Sequence, residues 1–189
     1  MTREEFHRIY ELSPRLKHVE LIEGVVYMPS PIRTDRHGEA QGLIIAWLGA
    51  YVAANPDSRF SGPATLLLDR DNEPEPDALM FKRTEAGGAA TITDSGYLAG
   101  PPELVVEVAA SSRSIDLGDK FRAYRRNGVR EYIVWVTTEA RLLWFALEDG
   151  DYRELPRSES GHIESTVFPG LRLNVEALLD WDIAGVLAT

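Results

Sequence analysis

The chain contains no cysteine, which excludes disulfides and every metal site built on thiolates. It contains no apolar run long enough to span a bilayer: the longest, LIIAWLGAYVAA from Leu43 to Ala54, reads as a buried helix. It is also short of positive charge, with 20 Lys and Arg against 30 Asp and Glu and a formal net charge of −10. A protein that coats DNA nonspecifically is usually basic, because phosphate neutralisation supplies most of its affinity. The balance counts against such a role. It leaves room for an enzyme whose carboxylates hold a cation and whose basic residues gather on one face. The opening MTREEFHRIYEL mixes charges of both signs and lacks the apolar core of a secretory signal. With no cysteine, this suits a cytoplasmic protein without membrane association. The 189 residues, 44% hydrophobic and 26% charged, fit one soluble domain spanning residues 1–189 with a real core.

Arg3 to Leu12 reads as a short helix. In HVELIEGVVYMPSP, from His18 to Pro31, two β-rich runs surround Gly24 as a hairpin-like or bulged pair. Thr34 or Asp35 can cap the next helix, which continues through RHGEAQGLIIAWLGAYVAA and stops before Asn55-Pro56. ATLLLD and PDALMF read as two short strands around the charged turn RDNEPE. Lys82 to Pro102, rich in Gly, Ala and Thr, reads as loop. ELVVEVA, from Glu103 to Ala109, reads as a central strand. SIDLGDKFRAYRRNGV reads as a helix, acidic early and basic late, with Gly128 as C-cap. REYIVWV, RLLWFAL and DYRELP are spaced like a β-meander, and FPGLRLNVEALLDWDIAGVLA finishes in an amphipathic helix. This order predicts an α/β fold with a mixed sheet and helices against it.

Glu107 is the most informative residue. Its neighbours Leu104, Val105, Val106, Val108 and Ala109 make a run apolar on both alternations, the mark of a strand buried on both faces. A lone carboxylate there is costly and takes up a proton, a cationic partner or a metal. A bland reading pairs it with an arginine or puts it on a wet edge strand. Two features favour a site. Asp77 in EPEPDALMF starts a strand after a proline, and two acidic oxygens from neighbouring strands with a main-chain carbonyl suit a hard cation such as magnesium. Lys120 lies at the edge of the stripe Leu117, Phe121 and Tyr124, while Arg122 and Arg126 point away from it. Of the basic residues on this helix, Lys120 is the best placed to reach the sheet, unless it snorkels at the surface.

An aspartate after proline, a core strand carrying a glutamate and then a nearby lysine resemble the PD-(D/E)XK nuclease superfamily. More closely, the order of VELIEGVVYMPSP, RHGE, EPDALMF, GPPELVVEVAASSR, DLGDKFRAYRRNGVREYIVWV and FPGLRLNVEALL resembles the Uma-two family of restriction-endonuclease-like proteins. These pieces run from about Val19 to Leu179. Each alone is a weak signal, and their joint order is fairly specific.

The resemblance implies a restriction-endonuclease-like core and metal-dependent phosphodiester hydrolysis. It assigns Asp77 to the motif aspartate and Glu107 to the motif glutamate. The superfamily lysine belongs two residues after the glutamate, where this chain has Ala109, and Lys120 in DLGDKFRAY matches the position to which the family has moved it. The implied catalytic set is Asp77, Glu107, Lys120 and Glu20. Asp77, Glu107 and the carbonyl of Val108 are the implied ligands of Mg2+ or Mn2+. Glu20 and His37 match family positions: Glu20 is either a further carboxylate at the site or an ordinary surface or paired acid, and His37 either joins the site or caps and packs. Glu23 reads as a solvated turn residue. His7, His18 and His162 lack ligand spacing. The implied substrate is nucleic acid, with DNA first. A strip from Arg113 to Arg130 supports this, since it holds Arg113, Lys120, Arg122, Arg125, Arg126 and Arg130 against Asp116 and Asp119. The alternative is a catalytically degenerate module that binds DNA or a protein. A homodimer would supply two sites for two strands, and Trp135 and Trp144 fit either a face buried against a copy or the core.

Overall fold

The computed structural model describes residues 1–13, 15–28 and 37–188. Helix α1 (Arg3–Glu11) opens on a reciprocal cap: Thr2 Oγ1 accepts from the Glu5 N–H at 3.3 Å, and the Glu5 carboxylate accepts from the Thr2 N–H at 2.9 Å. Strands β1 (Glu20–Ile22) and β2 (Val25–Tyr27) form an antiparallel hairpin. Its two-residue loop, Glu23 and Gly24, has φ of 52° and 75°, the left-handed pair that a type I′ turn requires. Helix α2 (Glu39–Ala54) follows, and the cap expected at Thr34 or Asp35 lies outside the described residues.

Strands β3 (Ser58–Ser61), β4 (Leu66–Leu67), β5 (Ala78–Lys82), β6 (Thr91–Ile92), β7 (Leu98–Ala99) and β8 (Leu104–Ala109) come next. Helix α3 (Arg113–Ile115), a π-helical turn (Asp116–Lys120) and α4 (Phe121–Arg126) then form one continuous helical arm. Gly128, with φ of 81°, ends it in the left-handed conformation, and the Val129 N–H bonds back to the Tyr124 carbonyl at 3.1 Å. Strands β9 (Glu131–Val136), β10 (Arg141–Glu148) and β11 (Asp151–Glu154) make the meander. The chain closes with β12 (His162–Glu164), β13 (Arg172–Asn174), α5 (Val175–Leu179) and α6 (Ile183–Leu187).

The main sheet has six strands in the order β11-β10-β9-β8-β5-β3. Among the described strands of this sheet only β8 and β9 run parallel, and parallel neighbours need a crossover, which the α3–α4 arm supplies. Both strands are buried at every position, as their unbroken apolar runs require. On one face Val106, Val108, Ile133 and Trp135 pack with Ile44, Trp47 and Leu48 of α2. On the other, Val105, Ala109, Tyr132 and Val134 pack with Tyr124 of α4. This is the mixed sheet with helices against it that the sequence pattern predicts, and the helices lie on both of its faces.

Several local expectations are corrected. Lys82–Pro102 is not all loop: β6 and β7 join β4 in a small three-stranded sheet. ATLLLD contributes only the two residues of β4, while SRFS forms the unexpected edge strand β3. The terminal helix is two short ones, separated by Trp181 with φ of 60° and by Asp182, whose carboxylate caps α6 at the Gly185 N–H. Trp135 and Trp144 are 1% and 0% exposed, so they belong to the core and offer no face to a second copy.

Candidate active site

Ala78 of β5 pairs with Val106 of β8, so the antiparallel register carried one residue further sets Asp77 opposite Glu107. Asp77 lies at the mouth of the sheet and is held by nitrogen donors. Its Oδ2 accepts from the Val108 N–H at 2.7 Å. Its Oδ1 meets His37 Nε2 at 2.8 Å and accepts from Gln41 Nε2 at 3.0 Å. His37, in the π-helical turn that leads into α2, and Gln41, in the first turn of α2, are four residues apart on one helical face, which explains why both reach the same oxygen. Helix α2 buries one face only, so the expectation of a wholly buried helix is corrected.

Glu107 points to the opposite side of its strand from Val106 and Val108, under the α3–α4 arm. Its Oε1 accepts from Lys120 Nζ at 3.0 Å and from the Tyr124 hydroxyl at 2.8 Å. Its partner is therefore a lysine, and the arginine of the bland reading plays no part. Lys120 Nζ also contacts Glu20 Oε1 at 2.8 Å and Asp116 Oδ1 at 3.8 Å. The π turn widens the arm where these groups project, and both Asp116 and Lys120 point inward from it. Glu20, on β1, is pinned in turn by the Glu75 N–H at 2.7 Å. Asp116 Oδ2 accepts from Ser112 Oγ at 2.6 Å.

Asp77, Glu107, Lys120 and Glu20 thus gather in one place, with Val108 bonded to Asp77 through its N–H. His37 joins them rather than capping elsewhere. Glu23 is not simply solvated, since Arg126 Nη1 holds its carboxylate at 2.9 Å. Sequence reasoning missed Asp116, Gln41, Ser112 and the hydroxyl of Tyr124. A signal did exist for two of them: Asp116 precedes Lys120 by four residues and Gln41 follows His37 by four, the spacing that puts helical side chains on one face.

The electrostatics are those of a crowded acidic centre. Burial pushes the Glu107 carboxyl well above its ordinary range; Lys120 opposes this, while Asp116, Asp77 and Glu20 add to it. Burial also raises Asp116, to about 6, against the pull of Lys120 and Ser112. For Lys120 burial disfavours the charge, but Glu107, Glu20 and Asp116 outweigh it and hold the ammonium well above its usual pKa. His37 is raised first by its bond to Asp77, with burial opposing and the Val108 main chain assisting. Four carboxylates therefore face one lysine and one imidazole. That excess of negative charge, with Asp77 at the bend leading into β5 and Glu107 on the neighbouring β8, fits a hard divalent cation. Among the described residues no three His, Asp or Glu side chains form a ready-made cage. A cation would rest on two carboxylates and complete its shell from main chain, water and phosphate, as magnesium commonly does.

Most of the basic strip, Arg130 excepted, is engaged in ion pairs within the protein rather than left as a free phosphate track. Arg113 pairs with Glu139 at 3.1 Å, Arg125 with Asp151 at 2.7 Å, and Arg122 with Asp119. Arg126 bridges Glu23 and Asp69, each at 2.9 Å, and Lys120 is buried in the site. Among the described residues no helix is long and apolar enough to cross a membrane.

No curated protein matches the chain. A crystal structure of "a putative nuclease belonging to DUF820" from Anabaena variabilis superposes with a TM-score of 0.69, covering 96% of this chain and 98% of that one at 15% identity, which establishes a shared fold. A family model, Uma2, described as "Putative restriction endonuclease", matches residues 3–176. With that span covering nearly the whole sequence, and the fold shared with a protein described as a nuclease, the chain belongs to the Uma2 family of restriction-endonuclease-like proteins.

Proposed function

We propose that this protein is a metal-dependent nuclease that hydrolyses the phosphodiester bonds of DNA. One observation carries the reading: Asp77, at the bend leading into β5, takes the N–H of Val108 beside Glu107 on β8, and a buried lysine from the crossover arm rests on Glu107. Mg2+ or Mn2+, when bound, would lower the pKa of a water and offset charge growing on the phosphoryl oxygens. Asp77 and Glu107 would hold that ion, with the carbonyl of Val108 beside them. Lys120 keeps its proton because Glu107, Glu20 and Asp116 surround it, and so brings a fixed positive charge to the transition state. Glu20, anchored by the Glu75 N–H, steadies that amine with a second carboxylate contact. DNA as the substrate rests on family membership; the paired arginines of the strip lend it no support.

The test is nicking of supercoiled plasmid and short duplexes with Mg2+ or Mn2+, comparing wild type with Asp77→Ala, Glu107→Ala and Lys120→Ala. Each substitution is expected to abolish cleavage. Activity untouched in all three would remove the assignment. A second reading, a binding module that has lost its chemistry, draws on the enclosure of Lys120 by three carboxylates. Calorimetry separates the two, since a degenerate site would take up neither ion specifically.

A further inference from the structure

The carboxylate of Asp77 is held in one orientation from two sides, by the main chain of β8 and by side chains at the start of the α2 region. Three N–H donors converge on it: the Val108 main chain on Oδ2, and His37 and Gln41 on Oδ1. Gln41 Nε2 also lies 3.4 Å from the Asp77 carbonyl, so this side chain grips both the carboxylate and its own main chain. Gln41 belongs to α2, a helix anchored in the core by Ala40, Leu43, Ile44, Trp47 and Leu48, and His37 sits in the π-helical turn that leads directly into it. The helix is thereby a rigid mount for the fork, and rigid mounts keep a ligand in one orientation. His37 and Asp77 are only 20% and 14% exposed, so water competes weakly for their bond.

We propose that His37 and Gln41 are positioning residues, a two-donor fork that fixes the Asp77 carboxylate so that its remaining lone pairs face Glu107 and the bound ion. Neither touches the substrate. The inference rests on the metal-dependent reading above. It predicts that the fork's loss weakens ion binding directly, before any effect on cleavage. Hydrogen-bond partners of ligating carboxylates typically change metal affinity by roughly 10–100-fold when removed.

The measurement is isothermal titration of Mn2+ into the full-length protein, for wild type, His37→Leu, His37→Gln, Gln41→Ala and Asp77→Ala. Leucine keeps the bulk of the imidazole without a donor, whereas glutamine can return an N–H close to where Nε2 stands. His37→Leu is expected to weaken Mn2+ binding by roughly 10–100-fold, Gln41→Ala by a few-fold, and His37→Gln to recover most of the loss. Wild-type affinity in His37→Leu would overturn the proposal, and so would a His37→Gln variant as weak as His37→Leu. Absence of Mn2+ binding by the wild type would instead sink the metal-dependent reading and the fork with it, so the two failures are told apart.

Discussion

Two buried glutamates sit on neighbouring parallel strands and are treated in opposite ways. Glu131 of β9 is 0% exposed and Glu107 of β8 is 3% exposed. Burial raises the pKa of both. Glu131 is enclosed by neutral donors from one loop: Ser165 Oγ at 2.7 Å, and the Thr166 N–H and hydroxyl at 2.6 and 2.9 Å. Glu107 is bound by a single ammonium and a phenol and has three other carboxylates for electrostatic neighbours. The first is a closed structural joint that ties the β12–β13 region to the sheet. The second is short of positive charge and stays so within the protein alone. What separates the two carboxylates is the charge imbalance around them, since burial is common to both.

The largest effect expected from this contrast is on cleavage. Glu107→Gln keeps the shape and removes the charge, and should lower divalent-dependent nicking by about 10²–10³-fold, the scale on which a single charge-stabilising group at a reacting centre counts. Glu131→Gln should lower it by less than about 10-fold, because its neighbourhood contributes structure only. Equal losses from the two would erase the distinction.

The next effect is on the pH dependence of stability without metal. Asp116 has an ordinary pKa of 3.8 and is raised by burial to about 6 in the folded state. The folded protein therefore binds this proton more tightly than the unfolded chain does. The stabilisation is complete below about pH 3.8 and is lost as pH rises through about 6, an effect on the order of 3 kcal/mol at about 1.4 kcal/mol per unit. Glu107, also raised, acts in the same direction. Metal-free protein should melt at a higher temperature at pH 5 than at pH 7, and Asp116→Asn should flatten that slope. A wild-type melting temperature that climbs from pH 5 to 7 would contradict the crowding.

Third comes stability at fixed pH. Glu131→Ala strands the Ser165 and Thr166 donors in the interior and should cost about 2 kcal/mol. Glu107→Gln leaves Lys120 with Glu20 and Asp116 and relieves repulsion among the acids, so the metal-free variant should be at least as stable as wild type. Chemical denaturation measures both. A marked loss in Glu107→Gln would make that residue a structural joint like Glu131.

Much of this was legible in the residues, for reasons that differ by element. The β8 and β9 runs show themselves because strands buried on both faces cannot hide their apolar composition. Asp77, Glu107 and Lys120 stand out because each breaks a local pattern. Strand β3 was illegible because SRFS is a short edge strand of mostly polar residues, and β4, β6 and β7 are two residues long, too brief for any periodicity to register. Asp116 was masked by a second sufficient explanation, as an acid near a helix start that favours the macrodipole. The ion pairs of the strip were illegible for a related cause: composition shows where arginines cluster along the chain, while Glu23, Asp69, Glu139 and Asp151 approach them only once the chain is folded.

The smallest expected difference concerns the neutral donors on each side. Tyr124→Phe deletes one hydroxyl from Glu107, keeps the ring in the core, and leaves the Lys120 contact in place. It should cost about 0.5–1 kcal/mol. Ser165→Ala removes more, because Ser165 Oγ donates to Glu131 and also accepts from the Val167 and Phe168 N–H groups at 3.1 and 2.8 Å. Its cost should exceed that of Tyr124→Phe by about 1 kcal/mol, with both read from urea midpoints at pH 7 without metal. The order matters more than either value. If the phenol proves the costlier loss, Glu107 depends on neutral hydrogen bonds as Glu131 does, and the charge imbalance around it is weaker than its four-carboxylate setting implies.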